Sequence, residues 1–366
     1  MTILFTRFPL ESRFGGAEVQ TLALMEGLRK KGHEVMFLGN CPTLLAACKQ
    51  RTIDHWQLAI GYPPVTKWLA ISFAWRQYWM RPVLIKAIQK LIAKCQMPNA
   101  IFMLSLTEKL LLTDWAIAQG IKVFWIEHDR VGRWLTHNPW LPTLRKLSRQ
   151  VITIVVSDLS RDLYLKLGWD QERIATIPNG VDLHHFVPNP NPNPNLRRIG
   201  CIARLTRDKG VDLLIEAAQD LPNVTVDIVG TGKEEVYLRR MADRVNAQTH
   251  KRINVISSVP NIAAFYHSLD VFVLPSRSHD PFGLVVAEAM AAGVPVIVTD
   301  ACGVASHLAP EEALIVKAGS VEALREALRM MQKDSIRQQF ALSGPKVARE
   351  KFSLARMIEA YEKTLY

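Results

Sequence analysis

The sequence lacks any apolar run approaching the roughly 20 residues that a membrane-spanning helix requires. Its first residues, M-T-I-L-F-T-R-F, show neither a basic leader nor a cleavage site, so they predict a first strand and no signal peptide. Cysteine is scarce, with five residues in 366, and no two cysteines lie at metal-ligand spacing. These absences indicate free thiols in a reducing compartment, and they predict a cytoplasmic protein.

Acidic residues are scarce in the first half of the chain. Residues 1–188 contain 23 Lys and Arg against 14 Asp and Glu, whereas residues 189–366 contain 22 against 20. The first half therefore favours an anionic partner. No helix-turn-helix, zinc-finger or RNA-binding signature accompanies this charge, so the sequence predicts no nucleic-acid partner.

One segment, N-P-N-P-N-P-N at 189–195, can form neither a helix nor a central strand, because alternate prolines remove backbone donors. It predicts a semi-rigid linker between two domains, which the length of 366 residues also favours. We expect an N-terminal domain at 1–188, a C-terminal domain at 196–350 and a last helix at 351–366. That helix is expected to begin after a capping Ser353 and to pack back on the N-terminal domain.

Both halves repeat short β-branched strands, glycine turns and amphipathic helices. This rhythm predicts an α/β protein with two parallel sheets, each covered on both faces. The expected architecture is two Rossmann-like domains facing a central cleft, with ligands at the carboxyl ends of the strands. The predicted strands are Thr2–Thr6, Val35–Gly39, Val123–Glu127, Ile152–Val156, Arg198–Ile202, Val224–Val229, Ile253–Ile256, Val271–Leu274 and Val294–Val298, and the clearest helices are Ala17–Lys31 and Val211–Asp220.

Two motifs follow the first strand of each predicted domain. G-G-A-E at 15–18 opens a helix, where glycine lets the backbone approach a ligand and the helix start favours a phosphate. The alternative is a tight turn that binds nothing. A-R-L-T-R-D-K-G at 203–210 places Arg204 and Lys209 where a diphosphate would need cations. The alternative there is a solvated basic loop.

A third motif, S-R-S-H-D-P-F-G-L-V-V-A-E-A-M-A-A-G at 276–293, places two carboxylates around a helix start. Asp280 in the loop and Glu288 in the helix can accept bonds from sugar and ribose hydroxyls, while the amides between them suit a phosphate. The alternative makes Asp280 a helix cap and Glu288 a surface residue. Glu288 lies in an apolar stretch where an idle carboxylate would be costly, which favours function.

Taken together, these motifs resemble those of the family-four glycosyltransferases, which have the GT-B fold. The resemblance covers almost the whole chain. It also rests on I-P-N-G-V-D at 177–182, on I-V-G-T-G at 228–232 and on W-I-E-H-D at 125–129. It implies a retaining hexosyltransferase that uses a nucleotide-diphosphate sugar as co-substrate and needs neither a metal ion nor another cofactor.

The resemblance also assigns roles to individual residues. It implies that Gly16 binds the donor phosphate, that Arg204 and Lys209 neutralise the diphosphate, and that Asp280 binds hydroxyls of the donor sugar. His128 would lie near the reacting sugar carbon, and Glu288 would hold the ribose hydroxyls. The remaining donor-binding residues implied are Gly230, Gly232 and Val259 near the base, and the amides of Phe282, Gly283 and Leu284 around sugar and phosphate.

Three positions depart from the family pattern. Asp280 stands where the family usually has Glu, and a carboxylate shorter by one methylene reaches roughly 1.5 Å less far. Ser257 and Ser258 replace a usual glycine, and C-G-V-A-S-H at 302–307 replaces a usual Gly-Gly-x-Pro-Glu run. No D-x-D pair occurs, which agrees with cationic side chains taking the place of a divalent ion.

Between His55 and Thr107 the chain contains no Asp or Glu. Basic residues and tryptophans beside an apolar stripe (Leu84, Ile88, Leu91 and Cys95) indicate peripheral contact with an anionic membrane and an anionic or lipid-linked acceptor, such as an envelope polysaccharide precursor. The alternative is a helix whose apolar face only packs into its own domain. The candidate contact residues are Trp75, Arg76, Trp79, Arg81, Lys86, Lys90 and Lys94.

Two other functions stay open. A sugar-nucleotide epimerase of similar architecture would need no acceptor surface, and the basic aromatic stretch argues against it. A non-catalytic nucleotide-sugar binder would have no need of both cations and both carboxylates.

Overall fold

The computed structural model describes residues 1–9, 15–93, 96–189, 195–249 and 252–366. Most of the predicted linker therefore lies outside the described residues, as do Lys94 and Cys95. The chain divides into two compact units. The N-terminal unit consists of Met1–Val156, Ser160–Ile177 and Met357–Tyr366, and the C-terminal unit consists of Ser157–Leu159 and Pro178–Arg356.

The N-terminal unit is built on a seven-stranded sheet in the order β3-β2-β1-β4-β5-β6-β7. All neighbouring strands are parallel. The strands are β1 (Thr2–Arg7), β2 (Glu34–Gly39), β3 (Asp54–Gln57), β4 (Ala100–Met103), β5 (Lys122–Glu127), β6 (Ile152–Val155) and β7 (Ile174–Thr176).

Helices connect these strands, as parallel pairing requires. They are α1 (Gly16–Lys30), α2 (Pro42–Gln50), α3 (Lys67–Ile92), α4 (Leu106–Ala118), α5 (Arg133–Thr136), α6 (Leu141–Ser148) and α7 (Asp158–Lys166). Fully buried strands such as β1 and β4 carry the apolar run that sheets covered on both faces need.

The C-terminal unit has a six-stranded parallel sheet in the order β10-β9-β8-β11-β12-β13. Its strands are β8 (Arg198–Ile202), β9 (Thr225–Val229), β10 (Arg252–Ile256), β11 (Val271–Leu274), β12 (Val296–Thr299) and β13 (Leu314–Val316). Its helices are α8 (Val211–Ala217), α9 (Glu235–Thr249), α10 (Ile262–His267), α11 (Leu284–Ala291), α12 (Val321–Met330) and α13 (Asp334–Phe352).

The last helix, α14 (Leu354–Thr364), groups from Met357 onward with the N-terminal unit. Its Tyr361 is buried and meets Phe102 of β4 with ring centroids 6.0 Å apart. Lys122 at the start of β5 donates from Nζ to the carbonyl oxygen of Leu365 at 2.6 Å. Ser353 caps α14 by accepting a hydrogen bond from the amide of Arg356 at 3.4 Å.

The predicted fold class, two parallel α/β sheets, is confirmed. The predicted strands are present to within two residues at each end, but the helix predicted for Val211–Asp220 ends at Ala217 and continues as a 3-10 turn. Four short strands, β3, β4, β7 and β13, were not predicted. In the part of the chain that the structure describes, no helix is long and apolar enough to cross a lipid bilayer.

Candidate active site

The carboxyl edge of the C-terminal sheet gathers most of the predicted donor-binding residues. The chain enters this sheet at β8, builds outward through β9 and β10, and then returns to the other side of β8 as β11. The order therefore reverses between β8 and β11, which is where open parallel sheets bind their ligands. The loops after these two strands carry Lys209 and Asp280.

Lys209 and Asp280 form an ion pair at this point. The Nζ of Lys209 lies 2.5 Å from Oδ2 of Asp280, and both side chains are largely buried. The fully buried hydroxyl of Ser276 donates to the same Oδ2 at 3.1 Å. The backbone of Asp280 is tied to the chain after β12, because its amide donates to the carbonyl of Ala301 at 2.9 Å. Asp280 is therefore held by a cation and a hydroxyl, and it does not serve as the helix cap that the alternative interpretation gave it.

Arg204 follows β8 by two residues and is exposed. Within the described ranges its guanidinium makes no ion pair, in contrast to Lys209. At this edge Lys209 is therefore paired with a carboxylate, whereas Arg204 is exposed to solvent and available to an anionic ligand.

Close packing requires glycine at Gly230 and Gly232, the two residues predicted to lie near the base of the donor. A Cβ on Gly230 would lie 1.9 Å from the carbonyl oxygen of Ala203, and one on Gly232 would lie 2.2 Å from that of Leu205. The backbone of Gly230 also has a φ of +148°, which L side chains rarely adopt. These glycines therefore let the loops after β8 and β9 approach closely. Val259, in the loop after β10, is half-buried.

The start of α11 presents its amides at the same edge. Gly283 precedes the helix with a φ of +86°, and a Cβ there would lie 2.4 Å from Sγ of Cys302. The ring of Phe282 is buried edge-on against Phe352 with centroids 5.6 Å apart. The first amides of a helix have no acceptor inside it, so the amide of Leu284 and those just before it suit an anionic ligand, and their role in donor binding stays a prediction.

Glu288 lies one turn inside α11, half-buried, so it is not the surface residue of the alternative interpretation. Its Oε2 accepts a hydrogen bond of 2.8 Å from the hydroxyl of Tyr266, a residue of α10 that the sequence did not identify. Burial raises the pKa of Glu288, and the Tyr266 bond acts in the opposite direction. Tyr266 therefore favours the ionised carboxylate, the form that accepts hydroxyl bonds on both oxygens.

In the N-terminal unit, Gly16 begins α1 and has room beside it. A Cβ added to Gly230 or Gly232 would clash, whereas one added to Gly16 would meet no described heavy atom within 4 Å. Packing among the described residues therefore does not demand glycine here, and the role of Gly16 as a phosphate contact stays a prediction. Glu18, the last residue of the same motif, is buried and binds Arg7 at the end of β1, with Oε1 2.6 Å from Nη2.

His128 follows β5 and is half-buried. Burial lowers its pKa from 6.5 to about 3, and the positive charges of Arg7 and Lys109 act in the same direction. Lys109 of α4 is held in place by Glu127, the residue before His128, with 2.8 Å between Nζ and Oε1. The imidazole is therefore neutral near pH 7, able to exchange hydrogen bonds without carrying a charge.

The 26-residue helix α3 has two apolar faces. One is buried and comprises Ala70, Phe73, Met80, Leu84, Ile88 and Leu91. The other is a stripe of large side chains exposed to solvent, with Trp68 78%, Trp75 77% and Tyr78 77% exposed; we call Trp68, Ile71, Trp75, Tyr78 and Trp79 the outer stripe. The apolar stripe quoted from the sequence, Leu84, Ile88 and Leu91, is thus the inward one, as the alternative of an apolar face packed into its own domain expects. Membrane contact through the other residues of α3 stays a prediction.

The basic residues of α3 divide into two groups. Arg81, Lys86 and Lys90 are exposed. Arg76 instead braces its own surroundings, donating from Nη1 to the carbonyl of Tyr62 at 3.0 Å and from Nη2 to that of Leu69 at 3.1 Å. Burial lowers the pKa of Arg76. Its guanidinium is therefore already occupied within the unit, and Lys94 lies outside the described residues.

Sequence reasoning missed the side chains that hold the predicted ones. Some of these supporting residues could have been found as charged residues inside apolar runs, such as Lys109 in L-T-E-K-L-L-L. Tyr266 and Ser276 gave no signal, because a tyrosine or serine in such a position is ordinary. The described residues contain no group of three or more His, Cys, Asp or Glu side chains placed to bind a metal ion, and metal independence stays a prediction.

Comparisons with known proteins agree with this geometry. The profile "Glycosyltransferase Family 4" matches residues 14–185, and "Glycosyl transferases group 1" matches residues 185–346. A GDP-mannose-dependent monoacylated alpha-(1-6)-phosphatidylinositol monomannoside mannosyltransferase of Corynebacterium glutamicum is 26% identical over 281 residues, which are 70% of this chain and 73% of that protein. A phosphatidyl-myo-inositol mannosyltransferase of Mycobacterium leprae is 30% identical over 257 residues, 65% of this chain and 66% of that protein.

Among solved structures, HepE of Anabaena in complex with UDP is similar in fold. The TM-score is 0.79 at 19% sequence identity, and the match covers 100% of this chain and 99% of that one. The two family profiles meet at residue 185 and together span almost the entire chain. The chain therefore belongs to the family-four glycosyltransferases and has their GT-B fold.

Proposed function

We propose that this glycosyltransferase moves a hexose from a nucleoside-diphosphate donor to an acceptor hydroxyl, with retention at the anomeric carbon and without a metal ion. The observation that carries the proposal is the ion pair of Lys209 and Asp280 at the reversal point of the C-terminal sheet. Arg204 lies in the same loop as Lys209, and Glu288 lies in the helix that follows Asp280. A nucleotide sugar offers the diphosphate, sugar hydroxyls and ribose hydroxyls that these side chains fit.

Each side chain has a role in this proposal. Arg204 binds the diphosphate, and Lys209 supplies the second positive charge while holding Asp280 in place. Asp280 uses the oxygen that Lys209 and Ser276 leave open to accept a hydroxyl of the donor sugar. The amides at the start of α11 bind phosphate oxygens, and Glu288 binds the ribose. Such fixed donors and charges act without reorganising when the reaction occurs.

The chemical step breaks the bond between the anomeric carbon and the diphosphate oxygen, and the electron pair leaves with the diphosphate. The acceptor oxygen bonds to the same face of the sugar through an oxocarbenium-like state, and its proton passes to the departing phosphate. Arg204 and Lys209 stabilise the growing negative charge there, the part a divalent ion plays in other enzymes. In the N-terminal unit, Gly16 is the proposed phosphate contact and neutral His128 the proposed partner of the reacting sugar.

For the acceptor, we propose a lipid-linked or envelope-polysaccharide intermediate. The two mannosyltransferases described above are named for phosphatidylinositol-type glycolipids and support this class. The outer stripe of α3 and its exposed Arg81, Lys86 and Lys90 support peripheral contact with an anionic membrane. A cytoplasmic location at the inner face of the cytoplasmic membrane is part of the same proposal.

Donor binding and slow donor hydrolysis test the proposed function. Thermal shift and product release are measured against UDP-, GDP-, ADP- and dTDP-sugars for the wild type, Arg204→Ala and Arg207→Ala. We expect one donor class to stabilise the wild type and to be cleaved slowly. Arg204→Ala should lower the cleavage rate by about 100-fold or more, because it removes a charge that stabilises the leaving diphosphate.

Arg207 is the matched control, an exposed arginine three residues further along the same loop. Its replacement should leave the donor-induced shift and the cleavage rate near their wild-type values. Absence of any shift at millimolar donor would contradict the proposed function.

A further inference from the structure

Tyr266 is a buried tyrosine whose hydroxyl donates a hydrogen bond to Glu288, the proposed ribose-binding carboxylate. Its side chain is 0% exposed. The ring is fixed by two edge-on contacts, with Phe186 at 5.7 Å and Phe272 at 5.6 Å between ring centroids. A ring held in this way cannot swing, so the direction of its hydroxyl is set by the core of the C-terminal unit.

The hydroxyl of Tyr266 has two acceptors, both on α11. Oε2 of Glu288 lies at 2.8 Å and the carbonyl oxygen of Val285 at 3.1 Å. A phenol has one proton, and the charged carboxylate is the stronger acceptor and also the nearer one. Within the described ranges, Oε1 of Glu288 accepts no hydrogen bond. The carboxylate therefore has one oxygen held by the protein and one left over.

We propose that Tyr266 is a positioning residue that holds Oε2 of Glu288, so that Oε1 is directed to a ribose hydroxyl of the donor nucleotide. The inference rests on the proposed function, because it takes Glu288 as the ribose-binding carboxylate. It adds a residue on a different helix, 22 positions away in sequence, that determines how well the site distinguishes a ribonucleotide from its 2′-deoxy counterpart.

The competing explanation is that Tyr266 only fills the core and satisfies its hydroxyl on Val285. The two explanations differ in what the hydroxyl does for ligand selectivity. A residue that only supports the fold affects ribo- and deoxyribonucleotides equally. A residue that aims Glu288 affects only the ligand whose hydroxyl Glu288 contacts.

The test measures dissociation constants by calorimetry for UDP, dUDP, GDP and dGDP with the full-length wild type and Tyr266→Phe. The phenylalanine keeps the ring and its packing and removes only the hydroxyl. We expect the variant to bind the preferred ribonucleotide about 3- to 10-fold more weakly, as for the loss of one hydrogen bond, and to bind its deoxy counterpart unchanged. The wild-type preference for the ribonucleotide should shrink by the same factor.

Two further variants make the result specific. Tyr361→Phe removes the hydroxyl of another fully buried tyrosine, in the N-terminal unit, and should leave all four dissociation constants unchanged. Glu288→Gln should itself reduce the ribose preference, and adding Tyr266→Phe to it should cause little further loss, because both substitutions remove the same interaction.

The outcomes separate the inference from the proposed function. If the wild type binds none of the four nucleotides and none of the UDP-, GDP-, ADP- and dTDP-sugars, the proposed function fails and the inference fails with it. If it binds only another of those donors, the same comparison is made with that donor's nucleoside diphosphate and its 2′-deoxy counterpart. If the wild type prefers ribonucleotides and Tyr266→Phe keeps that preference unchanged, or weakens ribo and deoxy binding equally, Tyr266 is only structural and the inference alone is overturned.

Discussion

Glu108 buries its carboxyl group completely at the start of α4. Its Oε1 accepts hydrogen bonds from the backbone amides of Ser105 at 2.7 Å and Leu104 at 3.2 Å, whereas its buried Oε2 accepts none within the described residues. Burial raises the pKa of Glu108 from 4.5 to about 7, although hydrogen bonds from the backbone amides of Glu108 itself and of Ser105, and the charges of Lys109 and Arg7, act against it.

This raised pKa predicts a stability that depends on pH. Between pH 4.5 and about 7 the folded chain keeps a proton on Glu108 that the unfolded chain has released, so the free energy of unfolding falls as pH rises. Glu108→Gln preserves an oxygen for both amides and cannot ionise. We expect it to gain stability relative to the wild type as pH rises from 5 to 8, by on the order of 2 kcal/mol.

Urea unfolding of both proteins at pH 5 and pH 8 measures this difference. Glu350→Gln, at an exposed position of α13, is the control and should change stability equally at both pH values. Parallel pH curves for the wild type and Glu108→Gln would show that Glu108 ionises normally in the folded protein.

The proposed ligand-contacting residues could be singled out from the sequence, whereas the residues that hold them in place could not. Lys209 and Asp280 each follow a strand, so the sequence places both at one sheet edge. Their ion pair joins residues 71 positions apart, and it depends on the lengths and paths of two loops. The bond from Tyr266 to Glu288 depends likewise on the direction of a side chain, which strand and helix patterns do not determine.

At the scale of the element, sequence patterns found the strands that carry long apolar runs and missed the short ones. The strand β7 has three residues, and β3 (D-H-W-Q) is mostly polar, as an edge strand can be. Central β4 has only four residues, A-I-F-M, directly after Pro98 and Asn99, which read as a turn. Its burial comes from its neighbours β1 and β5, and a local pattern does not contain that information.

The helix α3 shows why composition indicated a contact surface while helical periodicity singled out a stripe that faces the core. Two apolar stripes share one helix, and the inner one was easier to recognise because it consists of aliphatic residues at helical spacing. The outer stripe repeats at Trp68, Ile71, Trp75 and Tyr78, alternating by three and four residues, and it remains exposed. An exposed stripe of this size beside lysines suits the interface of an anionic bilayer.

The outer stripe can be tested by vesicle flotation of the full-length protein. We expect the wild type to float at low salt with vesicles containing phosphatidylglycerol and not with vesicles of phosphatidylcholine alone. Trp68→Ser with Trp75→Ser should reduce the bound-to-free ratio by about tenfold or more, because two large apolar groups no longer enter the interface. Both side chains are exposed, so thermal stability should not change.

Lys86→Gln with Lys90→Gln separates charge from insertion, since this variant should lose mainly the part of binding that salt suppresses. Leu342→Ser replaces an apolar residue of the C-terminal unit that is 81% exposed, and it should bind like the wild type. If the wild type does not bind anionic vesicles at low salt, membrane contact through α3 is wrong. If the tryptophan variant instead changes the sedimentation of the free protein, the stripe joins two copies of the chain.

At the scale of the whole molecule, the N-terminal unit is completed by the last residues of the chain. Met357, Tyr361 and Leu365 are buried in it, although more than 170 residues of the C-terminal unit intervene in sequence. The N-terminal unit therefore cannot form its full core until residues Met357–Tyr366 have been synthesised. The sequence predicted that a terminal helix would need a partner for its apolar face, and the contacts of Tyr361 with Phe102 show which surface it covers.

The contact between α1 and α14 gives a direct test of whether α14 packs into the N-terminal unit. A Cβ on Gly27 would lie 2.2 Å from Cδ1 and 2.5 Å from Cγ1 of Ile358, and β-branched side chains are stiff. Gly27→Ala should therefore destabilise the protein by about 1–3 kcal/mol, even though alanine favours a helix more than glycine does. Gly16→Ala, in the same helix but with no described atom near, is the stability control and should not be destabilising.

Ile358→Ala removes the clashing atoms and costs stability by itself, because it leaves a cavity. In that background Gly27→Ala should be neutral or stabilising, since alanine fills part of the cavity and helix propensity then dominates. Thermal unfolding of the four proteins yields the coupling energy between the two positions. Equal destabilisation by Gly27→Ala in both backgrounds would mean that α14 does not pack against α1 in solution, and the N-terminal unit would then have to be stable without the end of the chain.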